Sequence, residues 1–474
     1  MSRYECTVCG YLYDSKKEKT QWDNLSNEWV CEVCESEKKY FNIVSSENSL
    51  DETKTDIVDL TGIEDRTDYL SKLEREGDER EIYMKDIHAM SETGASIIEP
   101  MRTSKPVISW DDILIKGAQL ATLPLNKNIP VCTTTIIGPK AKHPLVIETP
   151  VIISHMSFGA LSREIKTALA QGSAVVKTAI CSGEGGILPE EHEKSYAYIF
   201  EYVPNLYSVT DDNLRNVDAV EIKFGQSAKP GMGGHLPGKK VTSEIAKVRG
   251  FSEGEDIHSP AHFQDIQCKE DLKKKVEWLR EKTGGKPIGI KIACGHLEKD
   301  LDVVFFAEPD FITIDGRAGA TAASLKYVKA ATSIPTLFAV YRARKHFDKR
   351  GIKDITLVVT GGLRIAPDFV KALALGADVI AIATAALIAC GCQQYRVCET
   401  GKCPMGITTQ DPELRKRIKI EKSAERLSNY LRVSTNELKA FARLTGKSTT
   451  SEFEIKDLCT TNSEISSHTD VEHV

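Results

Sequence analysis

The sequence predicts an α/β protein organised around a (β/α)8 barrel. Short runs rich in valine and isoleucine recur between residues 150 and 384, separated by stretches that are typical of helices. Eight such runs in roughly 250 residues match the usual length of an eight-stranded barrel. The alternative is an open, doubly wound sheet, and it is disfavoured because no GxGxxG turn follows the first run.

The predicted strands follow one another at spacings that leave room for a crossover helix. They are PVIIS at 150, VVKTAI at 175, YIFEYV at 198, AVEIKF at 219, PIGIKIA at 287, DFITID at 310, ITLVVT at 355 and VIAIAT at 379. Catalytic groups of such a barrel gather just after the carboxyl ends of the strands. The long glycine-rich segments SGEGG, QSAKPGMGGHLPGKK and DGRAGATAAS follow strands and are therefore candidate parts of a site.

Four segments make up the chain in this interpretation. Residues 1–45 form a small metal-binding domain, 46–85 an acidic linker, 86–410 the barrel with a cysteine-rich loop, and 411–474 a helical extension with a disordered tail of about fifteen residues. The linker is predicted from SSENSLDETKTD and REGDERE, which are too polar and charged to build a core.

Composition narrows the function classes. The 474 residues are 41% hydrophobic and 27% charged, with a formal charge of −6, so no basic footprint for nucleic acid or anionic lipid is present. No run of 18 apolar residues and no signal peptide is visible, so a cytoplasmic protein with no membrane span is expected. Thirteen cysteines in such a chain favour metal and redox chemistry over disulfides.

The first cysteine set predicts one tetrahedral metal ion. Cys6 and Cys9 form one CxxC pair, Cys31 and Cys34 the other, and four thiolates suit either iron or zinc. The segments CTVCGYLYD and WVCEVC closely resemble rubredoxin, a resemblance that implies a mononuclear iron and one-electron transfer. Zinc remains the alternative, since Glu32 and Glu35 replace the proline and glycine of that family.

A second set, Cys392, Cys398 and Cys403, lies in GCQQYRVCETGKCPMG after the last predicted strand. Three cysteines at this spacing suit a polynuclear iron–sulfur cluster. Cys390 is a possible fourth ligand of a 4Fe-4S cluster, although cysteines two residues apart rarely serve one cluster.

Glycines and a short helix start predict a phosphate site at the end of the barrel. Gly361, Gly362 and Leu363 follow the seventh strand, and Ala383 and Thr384 follow the eighth. Backbone N–H groups at such a turn and at a helix start bind phosphate in many barrels. A phosphorylated cofactor is therefore expected.

The motifs along the barrel resemble the FMN-binding synthase domain of glutamate synthase. The segments that carry this resemblance are SHMSFGALS, ICSGEGG, EIKFGQSAKPGMGGHLPGKKV, DGRAGATAAS, TGGLR and ATAALIACGCQQYRVCETGKCPMGITTQDPELR. The resemblance covers roughly residues 105–415. It implies a TIM barrel with FMN, a 3Fe-4S cluster on Cys392, Cys398 and Cys403, and reductive amination of 2-oxoglutarate to glutamate.

Site roles are expected from the positions of the matched residues. Lys291 ends the fifth strand and would stabilise the reduced flavin as a cation, while Lys223, Lys229 and Arg317 are candidate anchors for substrate carboxylates. Glu184 would protonate the substrate or orient an imine, and Glu270 matches a family glutamate linked to ammonia delivery. The remaining flavin contacts are expected from Ser154, Met156, Ser157 and Gln226.

Two absences shape the expected partners. No glutaminase is expected ahead of the barrel, because the first 45 residues of this sequence are the predicted metal-binding domain, so ammonia is expected from solution or from a separate glutaminase subunit. No NAD(P)-binding fingerprint is visible, so electrons are expected from a redox protein that reaches the rubredoxin-like domain.

Two other functions stay open. An N-methylglutamate synthase-like amine transfer is one, because Met232 stands where glutamate synthases often have glutamate. The other is a non-catalytic subunit for electron transfer or redox sensing.

Overall fold

The computed structural model describes residues 3–6, 11–14, 20–26, 28–33, 36–44 and 77–474. Contacts divide the chain into two compact units, Met1–Ile98 and Glu99–Val474. Cys9 and Cys34 lie outside the described residues, as does the predicted linker up to residue 76. None of the helices in the described ranges combines the length and the apolar composition needed to cross a membrane.

The first unit contains a three-stranded antiparallel sheet. The strand Arg3–Cys6 lies between Leu12–Asp14 and Phe41–Val44. Its core is aromatic: the Tyr4 ring stacks on Trp22 with centroids 4.1 Å apart, and Phe41 packs on the same indole at 4.9 Å. Large rings supply much apolar area per residue, which a sheet this small requires. The 3-10 turns Trp22–Asn24 and Lys38–Tyr40 and the helix Met84–Thr93 complete the described part.

The second unit is a closed barrel of eight parallel strands, as predicted. Each strand pairs with the next one in the chain, and the last pairs with the first. The strands are β1 Val151–Ile153, β2 Ala179–Cys181, β3 Ala197–Tyr202, β4 Ala219–Lys223, β5 Ile288–Ala293, β6 Phe311–Asp315, β7 Thr356–Thr360 and β8 Val379–Ile382.

Helices follow the strands and cover the outside of the barrel. They are α1 Arg163–Val175, α2 Pro189–Lys194, α3 Asp211–Asn216, α4 Ser243–Arg249, α5 Lys269–Lys282, α6 Leu297–Phe306, α7 Lys326–Ala331, α8 Thr336–Lys349, α9 Ala366–Ala374, α10 Thr384–Ala389, α11 Pro412–Arg415, α12 Ile420–Leu444 and α13 Ser463–His468. The longest, α12, packs against α1, where Gly172 allows a close approach: a Cβ there would lie 2.8 Å from the Ala424 carbonyl oxygen.

The amino-terminal end of the barrel interior is apolar. Side chains from β2, β3, β4 and β6, among them Ile199 and Phe311, form one buried cluster. Gly289 makes room for the Phe311 ring, since a Cβ at Gly289 would lie 2.2 Å from it. The antiparallel hairpin Thr135–Ile137 and Leu145–Ile147 contributes to the same cluster and covers this end. The open end of the barrel is therefore the carboxyl end of the strands.

The predicted disorder of the last fifteen residues is wrong. The strand Leu458–Thr460 pairs with Ile113–Ile115 and with Glu472–His473. Helix α13 connects Leu458–Thr460 to Glu472–His473. Ile465 and Val471 are buried. Isolated apolar residues in a polar segment become ordered here because a strand from before the barrel supplies hydrogen-bond partners.

Candidate active site

Charged side chains occupy the carboxyl end of the barrel interior. Along β3 the inward residues run from Ala197 through Ile199 to Glu201, and β4 similarly ends in Glu221 and Lys223. Side chains two residues apart share a face of a strand, so these charged side chains point into the barrel interior on the same face as the apolar cluster, nearer the carboxyl ends of the strands. All three are at most 8% exposed. Buried charged side chains are unstable unless each has a partner of opposite charge or a hydrogen bond.

The Glu184–Lys223 ion pair lies at the mouth of the barrel. Glu184 is in the glycine loop after β2, and its Oε2 is 2.7 Å from Lys223 Nζ. Ser259 donates a 2.5 Å hydrogen bond to the other carboxylate oxygen. Burial disfavours the charged carboxylate, but Lys223 and Lys229 outweigh this effect and lower the pKa of Glu184 to about 2. Glu184 is therefore a carboxylate at neutral pH.

Glu201 connects the two lysines of the barrel interior. Its Oε2 lies 3.7 Å from Lys223 Nζ, and its Oε1 lies 3.6 Å from Lys291 Nζ. Neither carboxylate oxygen has a hydrogen-bond partner among the described residues. Glu201 thus holds two buried cations by charge, at distances longer than a hydrogen bond.

The opposite side of this network is a His155–Glu221 pair. His155 lies two residues beyond the end of β1, and its Nε2 contacts a carboxylate oxygen of Glu221, while Thr313 donates to the other oxygen. Burial works against ionisation of Glu221, yet His155 and Lys291 bring its pKa below the ordinary value. The nearby Cys181 thiol has a pKa well above its usual range, because it is buried and faces Glu201 and Glu221.

A pocket opens beside the Glu184–Lys223 pair. Its walls come from the loop after β2, the ends of β3 and β4, and the long segment after β4. The lining residues are Glu184, Val203, Pro204, Lys223, Phe224, Gly225, Gln226, Lys229, Met232, Gly233, Gly234, Pro260, Ala261, His262 and Phe263. Burial lowers the pKa of Lys229, even though Glu184 opposes this change. The pocket therefore offers cations and a carboxylate within an apolar wall.

The glycine turn after β7 forms a tight backbone cradle. Gly361 and Gly362 have φ angles of 119° and 94°, which L side chains rarely adopt. A Cβ at Gly361 would lie 2.4 Å from the Gly316 carbonyl oxygen. Beside this turn, Arg364 has a pKa below its ordinary value because it is buried and because Arg102 lies close to it. Two arginines held near each other favour an anion.

The second cysteine set lies on the loop after α10. Cys403 is buried, and Cys392 and Cys398 are half-buried. Burial, with Cys403 and Cys392 nearby, raises the pKa of Cys398 to about 11. The structure thus places all three cysteines on one loop, with their thiols at least partly shielded from solvent.

Comparisons with known proteins identify the family. The model of the conserved region in glutamate synthase matches residues 107–448, and the rubredoxin model matches residues 3–41. The chain belongs to the glutamate synthase family. This confirms the predicted recognition of both families and the prediction of a glutamate synthase-like enzyme.

Relatives of this glutamate synthase family member cover most of its length. A glutamate synthase large subunit-like protein of Rhizobium meliloti (strain 1021) is 36% identical over 396 residues, 79% of this chain and 90% of that protein. An archaeal-type glutamate synthase [NADPH] of Thermotoga sp. (strain RQ2) is 37% identical and covers 74% of each chain. An archaeal glutamate synthase [NADPH] of Methanocaldococcus jannaschii is 34% identical, covering 75% of this chain and 76% of that one.

The structure brings most of the predicted site residues of this family member to one end of the barrel. Glu184, Lys223, Lys229 and Gln226 line one pocket, and Lys291 joins Lys223 through Glu201. The segment after β1 is held close to the glycine loop: Gly183 packs on the backbone of Met156 and Ser157, and Ser154 Oγ contacts His155. Arg317 follows β6, and its Nε is buried without a partner in the described residues.

Glu270, a predicted site residue, and Cys390, a possible cluster ligand, lie in positions less suited to those roles. Glu270 is half exposed at the start of α5, where it pairs weakly with Lys269 at 4.0 Å, and it does not line the pocket. The thiol of Cys390 is buried beside Arg426 of α12, and burial raises its pKa to about 12.

Four residues of the charged network were not predicted as site residues from the sequence, namely His155, Glu201, Glu221 and Ser259. The alternation along β3 and β4 could have revealed the two glutamates, because each shares a face with apolar core residues. No sequence pattern points to Ser259, which reaches Glu184 from a segment 75 residues away.

In the rubredoxin domain, Cys6 and Cys31 are buried. The backbone N–H of Cys6 donates to Tyr11 O, and that of Cys31 to Ser36 O, each at 2.8 Å. Cys9 and Cys34 remain predicted ligands.

Proposed function

We propose that the chain is an FMN-dependent oxidoreductase that reductively aminates 2-oxoglutarate with ammonia to give glutamate. Membership of the glutamate synthase family supports this activity. The observation that carries the proposal is the pocket where Glu184 and Lys229 lie beside a buried, lysine-containing network. Ionised partners of both signs in one apolar pocket suit a substrate with carboxylates and an amine nitrogen.

The chain offers a suitable place for FMN. Gly361 and Gly362 form a turn too tightly packed for any Cβ, so that backbone N–H groups there and at Leu363, Ala383 and Thr384 can approach a phosphate, with Arg364 and Arg102 to meet its charge. We assign the ring contacts to Ser154, Met156, Ser157, Gln226 and Lys291. FMN, when bound, would accept single electrons and supply a hydride to the substrate.

Lys291 acts on the ring through its charge. It is 2% exposed, and Glu201 is its charge partner at 3.6 Å. A buried cation held in this way is poorly screened, so it favours negative charge on a neighbouring ring.

The ionisation states support distinct roles for the charged residues that face the substrate. Glu184, with a pKa of about 2, cannot supply a proton at neutral pH, so it orients the nitrogen by accepting its hydrogen bonds. Lys223 holds Glu184 in place as a cation. Burial alone would lower the pKa of Lys223, but the charges of Glu184 and Glu201 outweigh this effect and raise it.

Lys229 and Arg317 are then the cations left for the substrate. Within the described residues the Lys229 ammonium donates one hydrogen bond, at 3.4 Å to Gly233 O. Burial lowers the pKa of Lys229, and we propose that Lys229 also donates the proton of the reaction. The buried, unpartnered Nε of Arg317 supports binding of a carboxylate.

The metal assignments follow from the donor sets. The sequence spacing of Cys392, Cys398 and Cys403 and their placement on one partly buried loop support a 3Fe-4S cluster. An iron on Cys6, Cys9, Cys31 and Cys34 is supported by the rubredoxin match. We propose that a redox protein delivers electrons to this iron, and that ammonia comes from solution or from a separate glutaminase subunit.

The test is an anaerobic assay of protein containing FMN and iron. Reduced viologen serves as electron donor, and oxidation is followed with 2-oxoglutarate plus ammonia, glutamine or methylamine in turn. Glutamate formed from ammonia supports the proposal, and Glu184→Gln should lose most of this rate. Absence of an amino acid product from any 2-oxo acid with ammonia would refute it and would favour an electron-transfer or redox-sensing subunit.

Amine transfer of the N-methylglutamate synthase type is the second candidate. Met232 is 40% exposed and lines the pocket together with Val203 and Phe263, an apolar wall that suits a methyl group. A rate with methylamine well above that with ammonia would select this function.

A further inference from the structure

A two-stranded ribbon in the segment after β4 presents three metal-ligating side chains on one face. His235–Leu236 pairs antiparallel with Ile257–His258, so that His235 lies directly opposite His258. Leu236 and Ile257 are buried, whereas both histidines are exposed. Since side chains alternate across a strand, the histidines point away from the core. Their rings stack with centroids 4.5 Å apart and planes 2° from parallel.

Asp256 completes the set from the same strand. It stands two residues before His258, and its Oδ2 lies 2.9 Å from His235 Nε2 and 3.9 Å from His258 Nε2. One ligand atom from each of the three residues lies within 4.8 Å of the other two. Ligands about 2.0–2.1 Å from a tetrahedral zinc ion stand about 3.3 Å apart, and the observed distances bracket this value.

The second oxygen of Asp256 is held by the backbone. Gly238 N–H donates a 2.7 Å hydrogen bond to Asp256 Oδ1. The approach requires glycine, because a Cβ at Gly238 would lie 2.2 Å from the Gly254 carbonyl oxygen. A ligating carboxylate whose other oxygen is fixed by a donor is the usual supporting arrangement of a metal site. Asp256 therefore keeps its orientation without an ion.

We infer that His235, Asp256 and His258 form a binding site for a divalent transition metal ion of the Zn²⁺ type. Two imidazoles and one carboxylate suit Zn²⁺, Co²⁺, Ni²⁺ or Cu²⁺, whereas Mg²⁺ and Ca²⁺ prefer oxygen ligands. Three protein ligands leave a fourth position for water. The exposure of all three side chains gives the ion direct access from solvent.

The ribbon continues directly into the wall of the proposed substrate pocket. Gly233 and Gly234 precede His235, and Ser259 follows His258. The Ser259 N–H donates to Gly234 O at 2.8 Å, and the Ser259 hydroxyl donates to Glu184. An ion that joins the two strands opposes their separation at the residues next to this contact. Metal binding therefore stabilises the pocket wall around Glu184.

Zinc binding to the holoprotein tests the site directly. Equilibrium dialysis against Zn²⁺, with iron measured in the same samples, gives the zinc bound per chain without displacement of iron. We expect the His235→Gln/His258→Gln variant to bind one zinc ion fewer, or to bind it at least roughly tenfold more weakly. His143→Gln removes another exposed histidine and should bind as the unchanged protein does. Equal zinc binding by the double variant and the unchanged protein would overturn the inference.

Hydrogen exchange tests the coupling to the pocket wall. Zn²⁺ should slow exchange of the Ser259 amide and its ribbon neighbours several-fold in the unchanged protein and leave it unaltered in the double variant. Asp256→Asn keeps an acceptor for Gly238 but removes the charge, and it should weaken zinc binding in a folded ribbon. Zinc-dependent slowing that persists in the double variant would place the ion elsewhere and contradict the site. Neither measurement depends on the proposed reaction.

Discussion

Replacement of Glu184 by glutamine should destabilise the barrel through loss of the buried ion pair with Lys223. The two charged atoms are 2.7 Å apart, and the side chains are 15% and 9% exposed. A pKa lowered from 4.5 to about 2 is equivalent to about 3 kcal/mol of stability at neutral pH. Removal of one partner of a buried pair costs a similar amount, about 3–5 kcal/mol. Because Glu201 still faces Lys223 at 3.7 Å, we expect the lower end of this range.

The pH dependence follows from the sign of this pKa change. The stability that Glu184 contributes is fully present above pH 4.5 and is lost as the pH falls toward about 2. Glutamine resembles the protonated acid and has no such dependence. The difference between the two proteins should therefore shrink steadily below pH 4.5.

Urea denaturation of the oxidised holoproteins, at matched FMN and iron content, measures this difference. The control is Glu413→Gln, which breaks the exposed pair with Lys416 and should cost less than about 1 kcal/mol. Lys223→Met and the double variant complete a cycle that isolates the coupling of the pair. A loss for Glu184→Gln no larger than for Glu413→Gln, or an unchanged pH dependence, would refute the reasoning.

Three further changes probe the proposed cofactor sites. Lys291→Met should keep bound FMN but make its reduction potential more negative, measured by dye equilibration, because a buried cation no longer stabilises the reduced ring; an unchanged potential would contradict that role. Cys403→Ser should abolish the cluster signal in electron paramagnetic resonance and lower the iron content, whereas Cys390→Ser should leave both intact. Gly361→Ala should lose FMN and several kcal/mol of stability in urea titrations, because its Cβ would clash with backbone atoms. The control is Gly284→Ala, which has a φ of 74° and open space around it and should cost only about 1 kcal/mol. Equal losses of stability in the two variants would exclude the clash.

The eight strands were predictable because parallel strands buried on both faces are nearly continuous apolar runs. The run at 175 shows the limit of this signal. The strand there comprises only Ala179–Cys181, and α1 extends through Val175. Valines next to a strand are compatible with a helix end, and only the hydrogen bonds decide the boundary.

The candidate site was predictable wherever one local motif carries the chemistry. The glycine turn Gly361–Gly362 and the cysteine loop are of this kind, since backbone conformation and ligand type are encoded within a few residues. The alternation along β3 marks Glu201 as an inward-facing residue, but its role carried no local signal, because its partners Lys223 and Lys291 are brought beside it only by the fold. The order of the C-terminal tail also had no local sequence signal, because the strand that pairs with it lies more than 340 residues earlier in the chain.

The sequence by itself determined the barrel, the two cysteine sets and the family, because each depends on residue type at short spacing. Only the tertiary structure decided which charges meet. Glu184, Lys223 and Ser259 come from three separate segments, and their mutual distances set the pKa of Glu184 and hence the role it can play. Electrostatic effects depend on distance and burial, and neither quantity is fixed until the chain has folded.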